Sequence, residues 1–322
     1  MNDFFRLPLG QWVESGIDYI TETFGLFFDV IKFMIASVAD GMNFLFTSPP
    51  FWVMLIIFAV IAFVARGWLF SVGTTVGFLL ILSLDQWENA MDTLALVLVA
   101  AAIAVLISVP LGILAAKYQT VSTIVKPVLD FLQTMPAFVY LIPALILFRI
   151  GDVPGIVATV LFALAPGVRL TELGIRGVDK EVVEAGQAFG SSPGRILRQI
   201  QLPLALPSIM AGINQVIMLS LSMVVIASMV GAGGLGKPVI QSLSRADVSL
   251  GFEAGLSVVL LAIFLDRLTA SFGSGKGYFR FIMDSFNFRG RSADTMAADA
   301  DATSATTSAA SAEPAELTPP VR

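Results

Sequence analysis

The chain has 322 residues, 56% of them hydrophobic and 13% charged, with a formal net charge of −5 and a mean hydropathy of +0.85. A soluble domain carries about 25% charged residues, so this composition points to a chain embedded in a membrane. Cysteine and histidine are both absent, which excludes a disulfide framework, thiolate chemistry and the commonest metal ligand and general base. The few, scattered basic residues exclude nucleic acid as a partner.

In chain order, the first 48 residues form a separate unit. Val13, Ile17, Ile20, Phe24, Phe27, Ile31, Ile35 and Val38 recur at steps of three and four, with Glu14, Asp18, Glu22, Asp29, Lys32 and Asp40 mostly opposite. This is the pattern of an amphipathic helix, broken near Gly25, suited to lying along the interface or to packing as a scaffold against the bundle. It carries neither the charged start nor the cleavage site of a signal peptide. A bilayer core needs about 20 predominantly apolar residues per helix. Stretches of about that length, some shorter, lie at 50–65, 68–84, 93–116, 127–148, 154–170, 204–229 and 252–268, giving about seven spans within a membrane domain at 49–272. Arg66, Lys117, Lys126, Arg169, Arg176, Lys180, Arg195, Arg198 and, on the C-terminal flank, Lys276, Arg280, Arg289 and Arg291 fall on one side, whereas the loops on the other side hold only Arg149, Lys237 and Arg245. The positive-inside rule then places the N-terminus outside and the C-terminus in the cytoplasm. The segment 273–322 is a C-terminal flank followed by a tail rich in Ala, Ser, Thr, Asp and Pro, with no apolar period, and is expected to be disordered.

The longest inner loop, 177–203, has the local signals of two short helices. Asp179 caps the first, Gly190 ends it in the left-handed conformation, and Ser192 caps the second with Pro193 at its first position. Leu202-Pro203 then ends the second helix before the next span begins. Ala185, Gly186 and Ala188 keep the first helix shallow enough to enter a groove on another protein. A DNA-reading hairpin is excluded, because both ends run into membrane spans. Within 127–148, Pro136 and Pro143 interrupt the helix. Unpaired carbonyls at membrane depth are tolerated only inside protein or beside a wet cavity. Met135, Pro136, Phe138 and Tyr140, with Ser222 on a later span, are therefore the candidate pathway residues. Packing is the competing role for each ring and for the hydroxyl. Gly231, Gly233, Gly234 and Gly236 form a Gly-x-Gly-x-x-Gly string after a membrane helix. A dinucleotide site needs a preceding strand, so they are read instead as a flexible outer loop.

At Glu184, Ala185, Gly186, Gly190, Leu202 and Pro203 the chain resembles the inner-membrane permeases of ABC importers, with Gly186 standing where those have a second alanine. The stretches 130–143, 218–238 and 251–263 resemble the permeases for glycine betaine, proline betaine and choline, and the likeness spans about residues 50 to 268. The resemblance implies an all-α type I importer permease in a bacterial inner membrane. It implies that 177–203 is the loop seated in a cytoplasmic ATPase. It also implies an assembly of two permease copies, two ATPases carrying ATP and magnesium, and a substrate-binding protein, with the permease itself no enzyme and without a cofactor. Methionine or phosphonate import, and a secondary transporter without an ATPase, are the alternatives. The second of these leads one to expect midplane charges or an inverted repeat, and neither is clear in the sequence.

Overall fold

A computed structural model describes residues 8–273, and all its regular elements are helical. The expected tail at 274–322, with Lys276, Arg280, Arg289 and Arg291, lies outside the described residues. The elements are α1 (Leu9–Thr47), α2 (Phe51–Arg66), α3 (Trp68–Ser83), α4 (Trp87–Lys117), α5 (Gln119–Thr134), α6 (Ala137–Phe148), α7 (Asp152–Arg176), α8 (Lys180–Ala188), α9 (Pro193–Ile196), α10 (Leu202–Ala227), α11 (Gly236–Arg245) and α12 (Val248–Gly273). A π-helical turn, Leu197–Gln201, joins α9 to α10.

The centre of the bundle is α4, α7 and α10, and small residues bring them together. Lipid tails are as apolar as leucine, so membrane helices associate by close packing more than by a hydrophobic drive. Gly112 of α4 faces Thr171 of α7, Gly167 of α7 faces Ser108 of α4, and Gly174 of α7 faces Ser208 and Ala205 of α10. A Cβ added at any of the three glycines would lie under 3.0 Å from its neighbour. Around this trio, α12 packs on α10 through Asn214, whose amide donates to Asp266 at 3.1 Å and whose carbonyl accepts from Thr269. The α2–α3 hairpin turns at Gly67, with φ of 90°, and joins α12 through the rings of Phe58, Phe78 and Phe264.

Among the described residues, four helices are long and apolar enough to cross a membrane, or up to six if each bent pair is one span. The sequence count of seven differs for two physical reasons. Helices α2 and α3 have 16 residues each, about 24 Å against a hydrocarbon core of about 30 Å. The stretch 127–148 is two helices, α5 and α6, bent by 102° at Met135-Pro136. Helix α1 departs from helical geometry at Phe24, one residue from the expected break. It packs on the bundle along Phe28, Ile35, Ala39 and Phe46 and leaves Leu26, Val30, Phe33 and Met34 exposed. Its apolar surface therefore continues round the helix beyond the single face expected. An amphipathic helix, α11, also follows the glycine string, where no element was expected.

Replacing Gly167 with Val drives side-chain atoms into Ser108, and overpacking of this kind costs about 1–3 kcal/mol. The purified Gly167→Val variant should melt several degrees below the parent. Gly255→Ala, with open space around its new methyl, should melt with it.

Candidate functional site

The elbow between α7 and α10 forms much as its sequence dictates. The Asp179 carboxylate accepts from the Glu181 amide at 3.0 Å and caps α8. Gly190 takes φ of 75°. Its amide donates to the Gln187 carbonyl at 2.8 Å, and that of Ser191 to Gly186 at 3.1 Å, closing the helix end. Pro193 opens α9 as expected, but the Ser192 side chain makes no cap, and its carbonyl accepts from Arg195 and Ile196 instead. The expected stop at Leu202-Pro203 is also absent, since residues 193–230 run as one 38-residue helix. The π turn explains this. Pro203 clashes with the carbonyl four residues earlier, which belongs to Gln199, and the wider turn of Leu197–Gln201 makes room for it.

The elbow residues divide into two sets. Gly186 is buried against Ile196 and Ile200, and a Cβ there would lie 2.7 Å from Ile200 Cδ1, so its smallness lets α9 lie on α8. Leu202 is partly buried within the joint, packed near Ile175, Ala205 and Ile209. Glu184, Ala185, Gly190 and Pro203 are exposed. Beside them, at the tip, Phe189 is 90% exposed. The sequence reading passed over Phe189, although a large apolar residue just before a left-handed glycine is a visible signal. At the joint a cavity of about 240 Å³ is lined by Lys117, Arg176, Pro193, Leu197 and Gln201 among others.

Next to the elbow lies an ionic hub. Glu172 of α7 is 5% exposed. One of its oxygens takes a hydrogen bond from Ser122 at 2.8 Å and ion pairs from Arg176 at 3.0 Å and Lys126 at 3.2 Å. Arg176 also donates to Gln119 and to the Ala115 carbonyl, tying the end of α4 into the same cluster. A second pair, Arg169 with Asp130, fastens α5 further along α7. Glu172 thus joins α5 to α7 directly, and the end of α4 is tied in through Arg176.

Of the candidate pathway residues, Phe138 and Pro136 are exposed, Met135 is partly so, and Ser222 is exposed on α10. Tyr140 is corrected. It is 3% exposed and packs with Leu141, Ala144, Ala158 and Met223. Its hydroxyl donates to the Leu132 carbonyl. That carbonyl is the one a helix would have paired with residue 136, where proline has no N–H to give. Tyr140 thus repairs the break that Pro136 makes, and its ring is unavailable to a passing solute.

The glycine string, at the end of α10 away from the elbow, is packed where a flexible loop was expected. The Gly233 amide donates to Asp152 at 2.9 Å and the Leu235 amide to Thr93 at 2.7 Å. Gly234, with φ of 86°, lies so close to Thr93 that a Cβ would stand 2.4 Å from its Oγ1. Gly231 has φ of 95°, and Gly236 sits against Ser228 and Val225. Gly234 and Gly236 mark close contact between backbones, Gly231 lies against the Ile150 side chain, and Gly233 has only ordinary contacts.

Residues 108–275 match the family model described as binding-protein-dependent transport system inner membrane component. The glycine betaine/carnitine transport permease protein GbuB of Listeria monocytogenes is 50% identical over 270 residues, which cover 83% of this chain and 95% of that one. The glycine betaine transport system permease protein OpuAB of Bacillus subtilis is 47% identical over 264 residues, covering 82% and 94%. The glycine betaine/proline betaine transport system permease protein ProW of Escherichia coli is 45% identical over 267 residues, covering 83% and 75%. Among solved structures, the inward-facing MetNI methionine ABC transporter shares the fold, with a TM-score of 0.53 and 22% identity over 59% of this chain and 95% of that one.

Removing the Tyr140 hydroxyl leaves a carbonyl unpaired in a packed site, at about 1–3 kcal/mol. Tyr140→Phe should lower the melting temperature of the purified chain, whereas Phe138→Ala, which truncates an exposed ring, should not. Equal melting of all three would show that the break needs no repair.

Proposed function

The chain belongs to the binding-protein-dependent transport system inner membrane components, and we propose that it is the permease of an ATP-driven importer for glycine betaine and related quaternary-ammonium osmolytes. Support for the solute class comes from relatives named for glycine betaine, at 45–50% identity over most of the chain. The observation that carries the mechanism is the elbow. It is a short capped helix with an exposed tip, joined by the bend at 189–192 to α9, which continues without a break into α10.

In this reading the elbow faces the cytoplasm and seats in an ATPase subunit, with Glu184, Ala185 and the bend at Gly190 at the contact and Phe189 as its apolar anchor. Leu202 and Pro203 stand where the elbow passes into the span. Two permease copies, two ATPases binding ATP and magnesium, and an external binding protein complete the assembly, with the N-terminus outside and the C-terminus inside. Closure of the ATPases moves α8. Because no loop separates α9 from α10, the displacement passes to α10 without slack, and the two nucleotide states supply the differential contacts that a conformational change requires. The solute has no N–H on its cation, so recognition falls to aromatic faces and methyl-sized apolar walls. Phe138, exposed, and Met135, partly so, are assigned to that contact at the α5–α6 break.

The test is reconstitution of this chain with its ATPase and binding protein in vesicles. ATP-dependent uptake of labelled glycine betaine is expected, unaffected by excess methionine or an alkylphosphonate; competition by either would refute the assigned solute class. A Glu184→Cys variant should cross-link to the ATPase from the cytoplasmic side. Gly190→Val forces a branched side chain into left-handed backbone, which costs about 1–2 kcal/mol. It should cut uptake at least tenfold while the chain still inserts in the membrane. Cross-linking only from outside would overturn the assignment.

A further inference from the structure

We infer that the open stripe of α10 is the wet wall of the transit path, and that Gln215 on it receives the carboxylate of a zwitterionic solute; this rests on the import reading above. One side of α10 is buried against α4, α7 and α12, at Ala205, Ile209, Gly212, Val216, Ser220 and Met223 among others. At the elbow end Pro203, Leu204, Leu206 and Pro207 are exposed; beyond Pro207 what remains open falls on one side, at Ala211, Gln215, Met218 and Ser222 and, just past the end of α10, at Met229, with Met218 partly covered. The steps of four, three, four and seven residues keep all five on a single helix face.

The composition of this stripe separates it from the other open faces. Helix α12 shows Phe252, Val259 and Ile263, and α3 shows Leu69, Val72 and Val76, all large and apolar, as lipid requires. The α10 stripe has no leucine, isoleucine, valine or phenylalanine among its five residues and carries an amide and a hydroxyl. Gln215 sits halfway along the 26 residues of α10, about 20 Å from either end at 1.5 Å per residue. Its neighbour Asn214 points to α12 and is satisfied there by Asp266 and Thr269. Gln215 lies a third of a turn away and has no hydrogen bond among the described residues. An unpaired amide in hydrocarbon is costly, so this face meets water rather than lipid.

The chemistry of the stripe fits a methylated zwitterion. The Gln215 amide donates two N–H groups to a carboxylate without adding a charge. The Ser222 hydroxyl, which donates to the Met218 carbonyl at 3.1 Å, still has lone pairs facing the path. The thioethers of Met218 and Met229 offer polarisable, deformable contacts to N-methyl groups. The α5–α6 break lies alongside, since Met135 packs in the same cluster as Met223 and Ile226 of α10.

Because the chain has no cysteine, single thiols report directly. Gln215→Cys, Ser222→Cys and Val259→Cys are made in the whole complex and reconstituted. They are treated with the membrane-impermeant trimethylammonium-ethyl methanethiosulfonate, and labelling is read on the permease band. Positions 215 and 222 should label at least tenfold faster than 259, and saturating glycine betaine should slow labelling at 215 at least threefold. Labelling at 215 no faster than at 259 would place the stripe against lipid or a dry contact and overturn the inference. So would fast labelling at 215 that glycine betaine leaves unchanged in a complex that imports it. Absence of glycine betaine import by the parent complex would count against the functional reading alone, because the contrast between 215 and 259 is measured without solute.

Discussion

The close approach of α4, α7 and α10 through small residues is the constraint on which the rest of the architecture depends. A soluble bundle gains from hiding apolar surface, but here the surroundings are apolar too, and packing quality decides. Gly112, Gly167 and Gly174 remove the side chains that would hold the three backbones apart. The same principle recurs at the far end, where Gly155 meets Ala227 and Ala232, and Gly234 meets Thr93. Packing of this kind is unforgiving to bulk and poor at absorbing strain. Displacement applied at one end of such a core therefore reaches the other.

That property gives the elbow its meaning. A loop joined to its span by a flexible linker would lose motion in the linker. Here the π turn admits Pro203 without ending the helix, so the tip at Phe189 and the stripe at Gln215 belong to segments joined by little more than the fixed bend at Gly190. Glu172 extends the connection sideways. One buried carboxylate oxygen holding Ser122, Lys126 and Arg176 binds α5 to the helix that feeds the elbow. Breaking such a pair from one side leaves a buried charge uncompensated, so α5 and the end of α7 are held as a unit. In the proposed cycle the α5–α6 break therefore follows the elbow, and both walls of the path respond to the ATPase together.

Much of this was legible in the sequence, wherever the determining signal is local. The Asp179 cap, the Gly190 bend, the Gly67 turn and the break near Phe24 depend on residues within a few positions of one another. What was not legible depends on partners distant along the chain. Tyr140 reads as a pathway aromatic until Leu132 is seen to lack an N–H partner. The glycine string reads as a flexible loop until Thr93 and Asp152, far earlier in the chain, take its amides. Pro203 reads as a helix stop, because a π turn has no strong local signature. Gln215 went unremarked for the opposite reason. An amide one residue from another amide is unexceptional in a string of letters, and only the structure shows that one is satisfied and the other is open.

The uncharged character of the α10 stripe also bears on how an importer of this kind divides its labour. A path must favour entry while still letting go. A lysine or arginine at the middle of α10 would hold a betaine carboxylate strongly in low dielectric and would cost a great deal to keep there without a solute. A glutamine offers the same donor geometry at lower strength and at a smaller desolvation cost when empty. Thioethers in place of a closed cage of rings do the same for the ammonium end. With Tyr140 withdrawn into the core, the described part of the path has no enclosed aromatic box. Tight selection then falls to the external binding protein of the proposed assembly, and the permease contributes a wall polar enough to stay wet and too weak to trap what crosses it.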